Sequence, residues 1–203
     1  MARTGDAADS VRLLALGDSL TAGFGLPKED AFTTKLARAL LAKGYRVEVI
    51  DAGVSGDTTA GGLARLDWAL ADKPDVAIVA LGGNDGLRGL EPAETRSNLD
   101  AILKKLSDKK IPAMVAGMLA PPNLGREFGA EFNAVFPEVA AKNAALLYPF
   151  FLDGVAAERE LNQPDGIHPN AAGVDVIVGR MLPSVIELIG SASGVQANSR
   201  GSR

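Results

Sequence analysis

The stretch that decides the fold is Val76-Ala77-Ile78-Val79-Ala80-Leu81, followed at once by Gly82-Gly83-Asn84-Asp85-Gly86. Six apolar residues in a row, with no alternation, read as a strand covered on both faces, the signature of a parallel sheet between helices. Working outward, Val11 to Leu16 is a second apolar run closed by Gly17, and Tyr45 to Ile50, Ile111 to Met118 and Ala144 to Tyr148 are three more candidate strands. Helical spacing fills the gaps. Phe32, Leu36 and Leu40 recur every four residues between Asp30 and Gly44, and Leu63, Leu66 and Leu70 precede a stop at Pro74. Leu99, Ile102, Leu103 and Leu106 form a face flanked by acids at its start and lysines at its end, which suits the helix dipole. Phe128, Phe132, Val135 and Phe136 mark another helix after a loop over Ala120 to Gly125. The last helix is expected to open at Pro169, to carry Val174, Ile177, Val178 and Met181, and to be kinked or interrupted at Pro183. Strand and helix alternating about five times predict an α/β fold, a parallel sheet with right-handed crossovers and helices on both faces.

The chain has 203 residues, a length that suits one domain, expected here over residues 11–190. Residues 1–10 read as a flexible N-terminus, and 191–203 as a loose tail with nothing to bury. Net charge is −4, which argues against a nucleic-acid footprint. There is no cysteine, so disulfides, thiolate metal sites and cysteine catalysis are excluded. His168 is the only histidine, one imidazole where a catalytic zinc wants two or three. No apolar run approaches the roughly 18 residues of a membrane span. The start lacks a signal peptide's apolar stretch, which leaves a cytoplasmic protein or a processed form open.

Ligands of open parallel sheets sit beyond the carboxyl ends of the strands. Four polar segments are expected at that rim: Gly17-Asp18-Ser19-Leu20, Ser55-Gly56-Asp57-Thr58, Gly82-Gly83-Asn84-Asp85 and Asp165-Gly166-Ile167-His168-Pro169. A serine nucleophile needs a base; histidine is the side chain whose unperturbed pKa lies near neutrality, and here that can only be His168. Asp165, three residues earlier, reaches its ring if the four residues turn, bringing their ends within about 7 Å. Acyl transfer also needs donors for an oxyanion. Ser19 N–H at a helix start, Gly56 N–H and the Asn84 carboxamide are candidates. Singly, each has a plainer reading: Ser19 as a helix cap, Gly56 as a turn, Asn84 as a turn asparagine, His168 as a structural histidine. Asp18, Asp57 and Asp85 read most simply as turn or capping residues. The position after Ser19-Leu20 is Thr21, where the α/β-hydrolase elbow has glycine.

The blocks GDSL at 17–20, SGDT at 55–58, GGND at 82–85 and DGIHP at 165–169, in that order and spacing, resemble the SGNH or GDSL hydrolases over roughly residues 11–188. The likeness is nearest to the bacterial arylesterases and the multifunctional thioesterase, protease and lysophospholipase subgroup. It implies a three-layer α/β/α sandwich, flavodoxin-like, with a five-stranded parallel sheet. It implies Ser19, Asp165 and His168 as a catalytic triad and Ser19, Gly56 and Asn84 as the oxyanion hole. It also implies a substrate wall including Leu87, Leu119, Ala120 and Pro121, with a small Ala120 where the thioesterase relative is bulkier. No metal or organic cofactor is implied. The expected partner is a small ester or thioester, and the relatives suggest a periplasmic or secreted setting. A carbohydrate acetyl esterase with the same triad stands as the alternative. Outside that chemistry stand a flavodoxin-like module cradling an anion on the first loop, which leaves the Asp165–His168 pair without a job, and an aspartate-phosphorylated switch, only loosely suggested by Asp18, Asp51 and Asp85.

Overall fold

A computed structural model describes residues 10–192 of the chain. Five strands, β1 (Val11–Gly17), β2 (Val47–Gly53), β3 (Val76–Ala80), β4 (Ala113–Ala116) and β5 (Leu146–Tyr148), form one all-parallel sheet in the order β2-β1-β3-β4-β5. The central strands are apolar because both faces are covered: every residue of β3 and β4 is buried, whereas the edge strand β2 buries only Ala52.

Strand order dictates the layers. The chain leaves β1 through α1 (Ser19–Ala22) and α2 (Phe32–Ala42), then enters β2 on one side of β1. It next crosses back through α3 (Thr59–Ala69) to β3 on the other side of β1, and moves on through α4 (Gly83–Leu87), α5 (Pro92–Asp108) and α6 (Arg126–Lys142) to β4 and β5. With right-handed crossovers, reversing direction across the sheet puts the connecting helices on opposite faces. The packing agrees: α2 contacts the final helix α7 (Ala171–Gly190), while α5 contacts both α3 and α6. The three-layer arrangement and the five-stranded sheet are therefore as expected from the sequence.

Several local expectations shift. The strand expected from Tyr45 runs instead from Val47 to Gly53, and β4 and β5 are shorter than their apolar runs. Pro169 lies outside α7 and bridges to Asn162, while Asn170 caps the helix by accepting from Gly173 N at 3.0 Å. Pro183 does not interrupt α7, and Pro137 likewise lies inside α6. The lost N–H and ring clash cost about 3 kcal/mol. Burial on both sides of each proline offsets this, with Met181, Val185, Leu188 and Ile189 in α7 and Phe132, Phe136 and Val139 in α6 all enclosed. Leu63 is only partly buried, and α3 instead faces inward with Gly62, Leu66 and Ala69. The expected flexible start over 1–10 and tail over 191–203 fall outside the described residues, except for Ser10, Ser191 and Ala192. Ala192 is 7% exposed and packs in the core, so it is not tail.

Asp85 is neither a turn residue nor a cap. Its carboxylate is 2% exposed and accepts from Thr59 N at 2.9 Å, Thr59 Oγ1 and Thr95 Oγ1. One side chain of α4 thus ties down the start of α3 and the flank of α5 beneath the strand ends. Asp85→Ala strands the Thr59 amide and hydroxyl in the interior. We expect a stability loss of about 2–4 kcal/mol, read from the urea midpoint at constant m-value.

Candidate active site

The four sequence segments meet at the carboxyl ends of the strands, around the point where the connections from β1 and β3 diverge. Ser19 opens α1 directly after β1, with Asp18 as N-cap accepting from Leu20 N at 3.0 Å. His168 reaches it from the segment before α7. Its Nε2 lies 3.0 Å from Ser19 Oγ, and its Nδ1 lies 2.7 Å from Asp165 Oδ2. The other oxygen of Asp165 accepts from Ile167 N at 2.9 Å and His168 N at 3.0 Å. The predicted turn is therefore closed by the carboxylate itself. Those two backbone N–H groups, with the His168 ring, hold the Asp165 carboxyl down at about 2.

The histidine segment is braced from outside. Gln163 N donates to His168 O at 2.7 Å, and Gln163 Nε2 donates to Phe24 O at 2.8 Å and Pro169 O at 2.9 Å. The Phe24 ring covers the imidazole, with centroids 4.6 Å apart. Nothing in residue spacing announced Gln163 or Phe24, because both act through the backbone or a ring face of a distant segment.

Asn84 lies on α4, at the cavity. Its Nδ2 donates to Asp57 O at 2.9 Å and to Asp18 Oδ2 at 3.3 Å. Gly56 sits in an exposed turn with φ +85°, a conformation that favours glycine, and a Cβ there meets nothing nearer than Arg88 Nη2 at 3.8 Å. Arg88 Nη2 donates to Gly56 O at 2.8 Å. Gly56 is at the rim and is not among the residues lining the cavity. Asp57, expected as a turn or cap residue, instead pairs with Arg65, whose Nη2 also donates to Gly17 O at 2.8 Å; the cap of α3 is Thr58. Asp18 does cap α1, but it is also 2% exposed, and burial pushes its carboxyl up to about 6.

A cavity of about 400 Å³ runs past Ser19, Asn84 and His168. Leu87, Leu119, Ala120 and Pro121, all expected as substrate wall, line it. Phe150, Leu152 and Ile167 add apolar surface that the sequence did not single out. An apolar trough beside a nucleophile, a base and polar donors fits an acyl group. Among the described residues no helix is long and apolar enough to cross a membrane.

The Asp165 contacts have a pH signature. Its pKa is lower folded than its usual 3.8, so its contribution to stability is present above about pH 4 and is lost as the pH falls toward 2. Asp165→Asn is expected to lower Tm at pH 6, with the gap to the parent closing between pH 4 and 2 in a series of thermal scans.

Comparison with known proteins gives the family of the chain. The model of the GDSL-like lipase/acylhydrolase family matches residues 15–176. Esterase TesA of Pseudomonas aeruginosa is 39% identical over 178 residues, covering 87% of this chain and 89% of that protein. The arylesterase of Vibrio mimicus is 40% identical over 161 residues, covering 79% and 80%. Among solved structures, AlinE4, described as an SGNH-hydrolase family esterase, is 48% identical with a TM-score of 0.77, covering 90% of this chain and 98% of its own. A crystal structure of TesA superposes with a TM-score of 0.84 at 39% identity, covering 87% and 99%. A match over most of the chain, in sequence and in fold, makes this protein a member of the GDSL-like lipase/acylhydrolase family of esterases.

Proposed function

We propose that Ser19, His168 and Asp165 hydrolyse small carboxylic esters, and thioesters of similar shape, through an acyl-enzyme. The observation that carries this is the unbroken chain of contacts from Ser19 Oγ to His168 Nε2 at 3.0 Å and from His168 Nδ1 to Asp165 Oδ2 at 2.7 Å. The names of relatives support the ester class: an arylesterase and, in Escherichia coli, a thioesterase 1/protease 1/lysophospholipase L1 that is 35% identical over 90% of this chain.

Ser19 Oγ attacks the carbonyl carbon while its proton passes to His168 Nε2. Asp165, ionised because its pKa lies at about 2, keeps Nδ1 protonated and stabilises the imidazolium. The carbonyl oxygen becomes an oxyanion that takes hydrogen bonds from Ser19 N, Gly56 N and Asn84 Nδ2. Collapse breaks the bond to the leaving group, which takes the proton from Nε2. Water then repeats the sequence: His168 takes its proton, its oxygen attacks the acyl carbon, and Ser19 leaves with the proton. The acyl chain lies along Leu119, Ala120 and Pro121.

The testing experiment is hydrolysis of p-nitrophenyl esters from acetyl to dodecanoyl. Ser19→Ala and His168→Ala are expected to lower kcat by about 10³-fold or more, and Asn84→Ala by about 10²–10³-fold. Turnover unchanged in Ser19→Ala overturns the reading. Ala120→Leu fills the trough and is expected to move the chain-length optimum toward shorter acyl groups, read as the ratio of kcat/KM for octanoyl over acetyl ester.

A further inference from the structure

The carboxamide of Asn84 has two hydrogens, and in the resting site both are committed. One goes to the Asp57 carbonyl at 2.9 Å and the other to Asp18 Oδ2 at 3.3 Å. Both partners are acceptors, so the amide cannot be turned over without placing its own oxygen against theirs. An oxyanion that takes a hydrogen from Asn84 must therefore displace one of these bonds. The longer one, to Asp18, is the weaker and the one beside the nucleophile.

We propose that Asp18 is a positioning residue: its carboxylate holds the second amide hydrogen of Asn84 in the resting enzyme and yields it to the oxyanion as the substrate carbonyl becomes tetrahedral. The inference rests on the serine-ester reading above. Three further observations support it. Asp18 lines the catalytic cavity although it is 2% exposed. Its other oxygen is anchored by Leu20 N at 3.0 Å, so the carboxylate cannot rotate away. Gly83 leaves the space beside it: a Cβ there sits 3.3 Å from Asp18 Oδ2.

The device works best while Asp18 is ionised, because a protonated Oδ2 is a much weaker acceptor for the Asn84 hydrogen. His168 is the titratable side chain that acts on Asp18, favouring its ionised form once it carries the proton taken from Ser19; from α4 Asp18 meets neutral Asn84 and Gly83. Arg65 of α3 pairs through Nε with Asp57 and through Nη2 with the Gly17 carbonyl, and its buried Nη1 has no partner among the described residues. Burial holds the Asp18 carboxyl at about 6, above its usual 3.8, so it takes up its proton as the pH falls through about 6. Full activity then requires Asp18 to be ionised.

The test is Asp18→Asn, which keeps the shape and a carbonyl for Leu20 N but offers Asn84 an amide instead of an acceptor. With p-nitrophenyl acetate between pH 5 and 9, kcat is expected to fall about 10- to 100-fold with KM within about threefold. Log kcat/KM should fall more steeply below about pH 6 in the parent than in the variant. Tm at pH 8 should be no lower than the parent's, since a carboxylate that burial disfavours has been removed. In an Asn84→Ala background the same change should cost less than about threefold. The proposal is overturned if kcat stays within twofold, if activity and Tm fall together, or if the cost persists without Asn84. It is also overturned if log kcat/KM falls equally steeply below about pH 6 in the parent and the variant. Activity surviving in Ser19→Ala, run beside these, instead sinks the serine reading and not this one alone.

Discussion

Everything in the site descends from one constraint, the divergence of the chain at the carboxyl end of β1. Because β2 and β3 lie on opposite sides of β1, and right-handed crossovers send their helices to opposite faces, the connections part there and leave an opening. Ser19 starts the helix on one side of that opening and Asn84 sits in the helix that follows β3 on the other. The strand ends are packed so closely that a Cβ on Gly17 would run into Thr21, and one on Gly53 into the Ala22 backbone. Backbone replaces side chain at the rim, and this lets groups distant in sequence come within hydrogen-bond reach.

Two aspartates illustrate how the same side chain is set to opposite purposes by its surroundings. Asp165 is exposed and surrounded by donors, so it stays ionised to about pH 2 and can serve as a permanent anion behind the histidine. Asp18 is enclosed, with one backbone donor and one long contact, so it ionises near pH 6. Burial wins at Asp18 because few hydrogen bonds oppose it, and loses at Asp165 because three donors converge where solvent already helps.

The layers, the two-sided burial of Val76 to Leu81 and the meeting of the four polar segments are legible in the sequence because they follow from apolar runs, from turn chemistry and from the place of ligands in open parallel sheets. Val76 to Leu81 is the clearest case: its lack of alternation leaves no other partner than helices on both faces. Pro183 reads as a break in the sequence because a proline penalty is local, while the burial of Met181 and Val185 around it is not visible until α7 is docked. Asp85 and Asp57 were read as turn residues because their partners, Thr59, Thr95 and Arg65, come from other elements or from another turn of the chain. Gln163 and Phe24 stay silent for the same reason: a side chain that binds a remote carbonyl or covers a remote ring leaves no pattern at fixed spacing.

A chain with one imidazole carries a built-in magnetic reporter. Every histidine resonance of this protein belongs to His168, so its chemical shift needs no assignment strategy and no isotope-selective labelling. The Phe24 ring, tilted 38° to the imidazole at a centroid distance of 4.6 Å, adds a ring-current displacement that vanishes if the two rings part. Protonation of His168 and integrity of the wall around it can thus be followed through a single signal in the intact protein.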